Sequence, residues 1–356
     1  MKTRITELLN IRYPIVEAPM AWITDARLAA AVSEAGGLGT IGPNAGTDKV
    51  TSDVHETGER LRSQIRLCRE LTQYPFAVNF VVGVVGWDRK YSDRCVAVGI
   101  EEGVPVAIVS QGSPAVYTQR LKEAGMTVIH VCSTVRHVIK AEASGVDAVV
   151  VSGTEGGGHS GFDQITTLCL VPQAADASTI PVIAGGGIVD ARGLTGALSL
   201  GADGIYMGTR FIATRECLAH DNVKQALLDA VDTSTIAIRH GNPVAAGVND
   251  TENRGFVEER RGSIRMLVND YLRQVIAKEG MITSFEQAMQ TDGEPAPASE
   301  SNRTVEAFIM GNLERNSITA GQGAAMIWDI PSCRELIETI VSEARPIVER
   351  LNTIFR

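Results

Sequence analysis

The stretch Val182-Ile183-Ala184-Gly185-Gly186-Gly187-Ile188-Val189-Asp190 indicates how this chain folds. A short apolar run passes directly into three glycines and then into an amphipathic segment at residues 190–200. A second copy follows, in which the apolar residues 204–207 pass into Gly208-Thr209. Short apolar runs without polar alternation are typical of parallel strands buried on both faces. Each copy therefore predicts a buried strand followed by a glycine turn.

The same unit recurs through the first 210 residues of the chain. Five helical stretches end in a glycine that is followed at once by an apolar run, at Gly36, Gly103, Gly125, Gly145 and Gly201. A glycine just past a helix accepts the left-handed conformation that strains other residues. The recurrence predicts alternating helices and strands.

Eight strands are predicted, at residues 14–17, 38–41, 76–80, 104–109, 127–131, 148–151, 182–184 and 204–207. Their spacing of roughly 20 to 35 residues is the length of one strand–helix unit. Eight such units close into a barrel more naturally than they extend an open doubly wound sheet. The predicted fold class is α/β, a (β/α)8 TIM barrel.

The pattern changes after Phe211. Helical stretches are predicted at 222–230, 261–278 and 284–289, with an acidic, proline-bearing piece at 291–301 and no convincing strand. An amphipathic helix at 331–351 is expected to return to the barrel. The predicted domains are a barrel, residues 1–214 and 320–356, and an added helical lobe, residues 215–319. Substrate specificity in barrel enzymes resides in such additions at the open end.

The composition narrows the class of protein. The chain has 356 residues, 44% of them hydrophobic, and a net charge of −9, which argues against a nucleic-acid partner. No apolar run approaches the roughly 20 residues of a membrane span. The N-terminus lacks the apolar core of a signal peptide, so the cytoplasm is the expected location.

The six cysteines are scattered singly, with no Cys-x-x-Cys pair. This spacing predicts neither a zinc site nor a disulfide framework, and no metal site is proposed. Reduced, mostly buried thiols are expected.

Two glycine turns form a candidate phosphate site. Gly185, Gly186 and Gly187 follow the seventh predicted strand, and Gly208 and Thr209 follow the eighth. Loops in these positions of a barrel commonly bind phosphate, because backbone N–H groups without a neighbouring Cβ can approach its oxygens. Asp190 is expected to cap the following helix. Ordinary tight turns are the alternative.

A candidate catalytic histidine follows the sixth predicted strand, in Glu155-Gly156-Gly157-Gly158-His159-Ser160-Gly161. Histidine is the side chain best suited to proton transfer near neutral pH. The alternative is a histidine that only hydrogen-bonds its own loop.

Two further predicted strands end in candidate ring contacts. Ala18, Pro19 and Met20 follow the first, where small residues and a soft thioether suit a flat ring. Asn79 ends the third and could read the polar edge of such a ring. A plain turn and a buried structural amide are the alternatives.

With these residues in place, the chain resembles the nitronate monooxygenase family, which includes NADH:quinone reductases and flavin-type enoyl-acyl-carrier-protein reductases. The resemblance covers residues 3–225 and 319–341 and includes the histidine loop. The opening Lys2-Thr3-Arg4-Ile5-Thr6-Glu7-Leu8-Leu9 is similar to the enoyl reductase branch. Val128-Ile129-His130-Val131-Cys132 and Met207-Gly208-Thr209-Arg210-Phe211 are more similar to the quinone reductase branch.

The resemblance implies tightly bound, non-covalent FMN. It implies phosphate contacts at Gly186, Gly187, Gly208 and Thr209, and a base or orienting group at His159. It also implies that a returning segment brings Gln322 toward the flavin. The full candidate cofactor set is Ala18, Pro19, Met20, Asn79, Gly157, Gly158, Gly185, Gly186, Gly187, Gly208, Thr209 and Gln322.

Two features depart from the family. Glu17 stands where many members carry Gln, which affects the electrostatics near the ring. The 291–301 insertion and the lobe match no member closely, so substrate recognition does not carry over.

The leading hypothesis is an FMN-dependent enzyme that oxidises alkyl nitronates with oxygen. The alternative is an NAD(P)H-dependent reductase of enoyl-thioesters, carried on acyl carrier protein or CoA, or of quinones. The basic stretch Arg254, Arg260, Arg261 and Arg265 would meet a pyrophosphate or a CoA 3′-phosphate, or form a solvated helix face. A phosphate-binding isomerase without flavin and a non-catalytic flavin protein are the remaining hypotheses. The expected partner is a small-molecule substrate, and a homodimer is among the expected assemblies.

Overall fold

The structure, a computed structural model, describes residues 1–83, 89–239, 262–270, 272–273, 300–314, 316 and 318–356. Its strands are β1 (Ile15–Glu17), β2 (Gly39–Ile41), β3 (Phe76–Val81), β4 (Val106–Ser110), β5 (Thr127–Cys132), β6 (Ala148–Ser152), β7 (Gly158–Ser160), β8 (Val182–Gly185), β9 (Gly204–Met207), β10 (Thr235–Arg239) and β11 (Ser263–Leu267).

The helices follow the barrel strands in alternation. They are α1 (Arg4–Leu9), α2 (Ala26–Glu34), α3 (Val54–Leu71), α4 (Lys90–Glu101), α5 (Thr118–Glu123), α6 (Val135–Ala143), α7 (Thr167–Ala177), α8 (Ala191–Ser199), α9 (Thr209–Ile212), α10 (Asp221–Leu228), α11 (Glu300–Phe308) and α12 (Cys333–Ile354). Short 3₁₀ turns lie at Pro114–Val116 and Gln322–Met326. In the part of the chain that the structure describes, none of the helices combines the length and apolarity that crossing a membrane requires.

Eight parallel strands form the barrel, in the order β1-β9-β8-β6-β5-β4-β3-β2. The barrel closes where Val16 of β1 pairs in parallel with Leu38, just before β2. At this closure the Glu17 N–H donates to the Leu38 carbonyl at 2.9 Å, and the Leu38 N–H donates to the Ile15 carbonyl at 2.9 Å. The fold is therefore the predicted (β/α)8 barrel.

Neighbouring residues along each strand are buried on opposite sides of the barrel wall. Val16, Ile108 and Val150 belong to the cluster inside the barrel, together with Ile5 and Leu9 of α1. The residues that alternate with these along each strand belong to the larger hydrophobic core between the barrel wall and the surrounding helices. Because both faces are buried, the strands show apolar runs without polar alternation.

The repeated units of the sequence are confirmed in detail. The eight predicted strands coincide with β1–β6, β8 and β9 to within two residues at either end. Gly36, Gly103, Gly125, Gly145 and Gly201 all have positive φ, between 60° and 95°. Asp190 caps α8 by accepting hydrogen bonds from the N–H groups of Arg192 and Gly193.

The predicted burial of the cysteines holds for four of the six, Cys68, Cys132, Cys217 and Cys333.

The added lobe is not purely helical, which corrects the prediction for residues 215–319. The predicted helix at 222–230 is α10, but the predicted helix at 261–278 is wrong, since β11 lies there. β11 pairs antiparallel with both β10 and β7 and forms a three-stranded sheet. All five β11 residues are buried, including the polar Ser263 and Arg265. Polar and apolar residues alternate only over residues 263–266, and a pattern this short did not distinguish the strand from a helix. The predicted helix at 284–289 and residues 291–299 lie outside the described residues.

The C-terminal helix returns to the barrel as predicted. α12 begins with a capping box in which Ser332 and Glu335 bond each other's backbone N–H groups, and it packs against α8 and α2. The division into domains at 214/215 and 319/320 stays a prediction.

The packing of α2 on β2 gives a first testable prediction. A Cβ atom placed on Gly39 would lie 1.8 Å from the backbone oxygen of Ala29 in α2. Gly39→Ala should therefore lower the free energy of unfolding by about 3 kcal/mol, measured by urea denaturation.

Gly196→Ala is the matched control, because a Cβ on this exposed α8 residue meets no atom within 4 Å. It should raise stability by up to about 1 kcal/mol, since alanine is the better helix former. A Gly39→Ala protein as stable as the wild type would contradict the close packing of α2 on β2.

Candidate functional site

The loop after β1 meets the loop after β9 at the carboxyl end of the barrel. The Ala18 N–H donates to the Met207 carbonyl at 2.8 Å, which continues the pairing of β1 with β9. A Cβ placed on Gly208 would lie 3.4 Å from the Ala18 Cβ and 3.6 Å from the Met20 sulfur. The structure thus brings Gly208 together with two of the predicted ring contacts.

The loop after β8 lies against the loop after β6. Gly186 and Gly187 have φ of 98° and 70°, a conformation that favours glycine. A Cβ on Gly156 would lie 3.7 Å from the Gly186 Cα, and a Cβ on Gly187 would lie 3.2 Å from the Glu155 Cβ. The predicted phosphate and histidine loops are therefore in contact.

The returning segment that contains Gln322 bridges these loops. The Gly321 N–H donates to the Thr209 hydroxyl oxygen at 3.0 Å. The Gln322 N–H donates to the Glu155 carbonyl at 2.8 Å. A Cβ on Gly157 would lie 2.6 Å from the Gly321 nitrogen. The predicted residues of four separate loops thus form one continuous surface.

The side chain of Asn79 lies against the end of β4. Its Nδ2 donates to the Ile108 carbonyl at 2.9 Å and lies 3.1 Å from the Ser110 hydroxyl oxygen. Both Nδ2 hydrogens are therefore engaged. Since no described residue donates to the side-chain carbonyl oxygen, this oxygen can accept a hydrogen bond from a ligand.

The sequence interpretation missed the loop after β4. Gln111 and Gly112 have φ of 58° and 67°. A non-glycine residue in this region is strained, and such residues concentrate at functional sites. The polar triplet Ser110-Gln111-Gly112 directly after a buried run was the available signal.

His159 lies on β7, paired with Ile264 of β11, and its side chain is exposed. The adjacent Ser160 hydroxyl lies 2.7 Å from the Ser263 hydroxyl. Gln164, at φ 51°, donates from Nε2 to the Gly161 carbonyl at 2.9 Å and to the Ser263 hydroxyl at 2.5 Å. A strand of the lobe therefore helps to hold the loop that carries His159. Sequence reasoning missed this because β11 was predicted to be helical.

The structure corrects the prediction for Arg265, one residue of the predicted basic stretch. The side chain is buried on a strand, not on a solvated helix face. Its Nε donates to the Thr154 carbonyl at 2.8 Å, and its Nη1 donates to the Thr235 hydroxyl at 3.2 Å. Arg265 thus supports the histidine loop from the lobe. Arg254, Arg260 and Arg261 lie outside the described residues.

Glu17 is a buried carboxyl group directly before the predicted ring contacts. Its Oε2 accepts from the Thr40 N–H at 2.9 Å, and its Oε1 has no hydrogen-bond partner. Burial raises the pKa of Glu17 well above its usual value, and the nearby Asp25 carboxyl adds to the shift. A protonated carboxyl group carries no charge, like the Gln that the family resemblance places at this position.

A (β/α)8 barrel with glycine loops gathered at the carboxyl ends of its strands is the arrangement of a barrel enzyme. The family model described as nitronate monooxygenase matches residues 2–343. The chain therefore belongs to the nitronate monooxygenase family, a family of oxidoreductases.

Individual relatives cover nearly the whole chain. A Mycobacterium tuberculosis protein named (3aS,4S,5R,7aS)-5-hydroxy-7a-methyl-1-oxo-octahydro-1H-indene-4-carboxyl-CoA dehydrogenase is 33% identical, over 97% of this chain and 96% of its own. A probable nitronate monooxygenase of Staphylococcus saprophyticus is 30% identical, over 98% of this chain and 99% of its own. The solved structure of FabK from Thermotoga maritima has a TM-score of 0.79 and 34% identity, covering 99% of both chains.

The burial of Glu17 gives a prediction about stability and pH. In the folded protein the Glu17 carboxyl group keeps its proton at pH values where the same group has lost it in the unfolded chain. Glu17 therefore lowers the free energy of unfolding as the pH rises above about 4.5. Glu17→Gln cannot ionise, and its amide oxygen still accepts from Thr40. The stability advantage of Glu17→Gln should grow by about 1.4 kcal/mol per pH unit until the folded pKa is reached.

Urea unfolding of both proteins between pH 5 and pH 8 measures this advantage. Glu17→Ala is the control that leaves the Thr40 N–H without its acceptor, and it should be less stable than Glu17→Gln at every pH. Parallel stability curves for the wild type and Glu17→Gln would show that Glu17 ionises as readily in the folded protein as in the unfolded chain.

Proposed function

We propose that this protein is an FMN-dependent oxidoreductase with its flavin at the carboxyl ends of the barrel strands. The observation that carries the proposal is the joining of the loops after β1, β6, β8 and β9 with the segment around Gln322. Family membership supports the same chemistry. When bound, FMN would supply the redox step, while the protein binds and aligns the reactants.

The residues present fit the cofactor at both of its ends. Gly186, Gly187 and Gly208 carry no Cβ that would shield their backbone N–H groups from phosphate oxygens, and the Thr209 hydroxyl can add a donor. Met20 and Ala18 offer apolar contacts for the ring. The side-chain carbonyl oxygen of Asn79, which accepts from no donor among the described residues, suits the ring N–H of a flavin.

We assign proton transfer to His159. The side chain is exposed on a short strand that is braced by the lobe, so it can reach a bound substrate. In nitronate chemistry it would take the proton of a neutral nitroalkane, and in a reductase it would orient or protonate the acceptor. Pro19, Gly157, Gly158 and Gly185 complete the proposed cofactor set.

The first candidate substrate is an alkyl nitronate, oxidised with oxygen. The family model and the naming of the S. saprophyticus relative support it. We also propose that the barrel, residues 1–214 and 320–356, binds the flavin and that residues 215–319 contribute substrate recognition. The pairing of β11 with β7 supports this division of work.

The second candidate substrate is a CoA thioester. The M. tuberculosis relative, matched along almost the entire chain, is named as a carboxyl-CoA dehydrogenase. NAD(P)H would load the flavin in the reductive direction, with an enoyl-thioester or a quinone as acceptor. Arg265 takes no part in binding CoA phosphates, because its guanidinium group is buried against Thr154 and Thr235.

Anaerobic stopped-flow spectroscopy of the purified protein tests the proposal. Propionate 3-nitronate, NADH, NADPH and an acyl-CoA thioester are mixed with the protein in turn, and flavin absorbance is followed. Rapid bleaching by the nitronate alone is expected for the first candidate. Bleaching by a nicotinamide or by the thioester would select the second, and a protein purified without flavin that also fails to take up added FMN would refute both.

The role of His159 is tested by His159→Ala. The variant should retain FMN but lose turnover by roughly 10²–10⁴-fold, because a positioned acid–base group contributes about that much. His55→Ala, which removes an exposed histidine at the start of α3, is the control and should turn over normally. Full activity of His159→Ala on every accepted substrate would remove this residue from the mechanism.

A further inference from the structure

We propose that Glu155 is a positioning residue, which holds the glycine loop after β8 in the shape that receives the FMN phosphate. This inference rests on the proposed function. It concerns a residue of the histidine loop whose side chain faces α7 and the glycine loop rather than the substrate.

Glu155 binds the first residue of α7. Both of its carboxylate oxygens lie 2.9 Å from the Thr167 nitrogen, and the Thr167 hydroxyl oxygen lies 2.9 Å from Oε2. Thr166, at the N-cap of α7, makes no side-chain capping bond. A carboxylate twelve residues upstream therefore replaces the local cap, where the helix dipole favours a negative charge.

Thr167 in turn contacts the glycine loop. Its hydroxyl oxygen lies 3.1 Å from the Gly185 carbonyl and 3.0 Å from the Gly186 carbonyl. A Cβ on Gly186 would lie 2.8 Å from the same hydroxyl. A shift of Thr167 would therefore displace the loop.

The orientation of the loop follows from the planar peptide bond. In a trans peptide the N–H points opposite to the preceding carbonyl. Since the carbonyls of Gly185 and Gly186 are turned toward Thr167, the N–H groups of Gly186 and Gly187 point away from it. Neither of these N–H groups donates to a partner among the described residues. They are therefore available to an anion in the position proposed for the phosphate.

Glu155 also anchors the neighbouring segments. Its backbone carbonyl accepts from the Gln322 N–H at 2.8 Å, and its Cβ would lie 3.2 Å from a Cβ placed on Gly187. One residue thus connects the histidine loop, the glycine loop, the returning segment and α7.

The proposed role depends on hydrogen bonding rather than on acid–base chemistry. In Glu155→Gln the amide oxygen can accept from the Thr167 N–H, and the amide nitrogen can donate to the Thr167 hydroxyl. That hydroxyl hydrogen then goes to the carbonyl of Gly185 or Gly186. Glu155→Gln therefore keeps the brace, whereas Glu155→Ala removes it.

The experiment titrates flavin-free, full-length protein with FMN and, separately, with riboflavin, which lacks the phosphate, and follows flavin fluorescence. Glu155→Ala should raise the Kd for FMN by about 10-fold or more, as expected for losing hydrogen bonds to a charged group. The Kd for riboflavin should change by less than about 3-fold. Glu155→Gln should bind FMN within about 3-fold of the wild type.

Glu142→Ala is the matched control. The Glu142 carboxylate also accepts from a threonine backbone N–H, that of Thr179 at 3.1 Å, but it joins α6 to the chain that enters β8. Its removal should leave both dissociation constants unchanged.

Three results would overturn the inference alone, given a wild type that binds FMN. They are unchanged FMN binding by Glu155→Ala, equal weakening of FMN and riboflavin, and a Glu155→Gln protein as weak as Glu155→Ala. A wild-type protein that binds no FMN would overturn the proposed function, and this inference with it.

Discussion

The seam between β1 and β2 is the contact on which the barrel depends. Seven of the eight strand pairs form regular ladders, whereas β1 and β2 are joined only by the bonds around Leu38 and by the Glu17 carboxyl group, which accepts from the Thr40 N–H. The side chain of Glu17 replaces a backbone acceptor as the two strands diverge. Ala18 then pairs with Met207 of β9 instead. The same contacts therefore close the barrel and position the loop after β1.

The loops at the carboxyl ends are stabilised by contacts between segments far apart in the chain. The turns after β6, β8 and β9 are joined to a segment more than a hundred residues later. In these contacts Glu155 and Thr209 bind the backbone of Gln322 and Gly321. Glycine makes these approaches feasible, because a Cβ on Gly157 or Gly321 would collide with the other's backbone. The lobe adds a second brace through Ser263 and Arg265. The histidine loop is therefore held by the returning segment on one side and by the lobe on the other.

Sequence reasoning succeeded where the signal is local. The barrel strands are buried on both faces, so each shows as a short apolar run, and the preceding glycine marks the helix end. The glycine turns after β8 and β9 and the loop of His159 were visible for the same reason. Reasoning failed at β11, where polar and apolar residues alternate only over residues 263–266, and at Gln111 and Gln164, whose positive φ values the residue type does not indicate.

The sequence by itself determined the eight strand–helix units, their order and the loops that bear glycine and His159, because these features follow from local propensity and burial. Only the tertiary structure decided that Glu17 lies buried with an unpartnered oxygen, that Glu155 caps α7, and that Arg265 supports the histidine loop. Each of these roles depends on which groups meet across the closed barrel and its lobe. The sequence around a charged residue does not identify the group that will neutralise, orient or bury it.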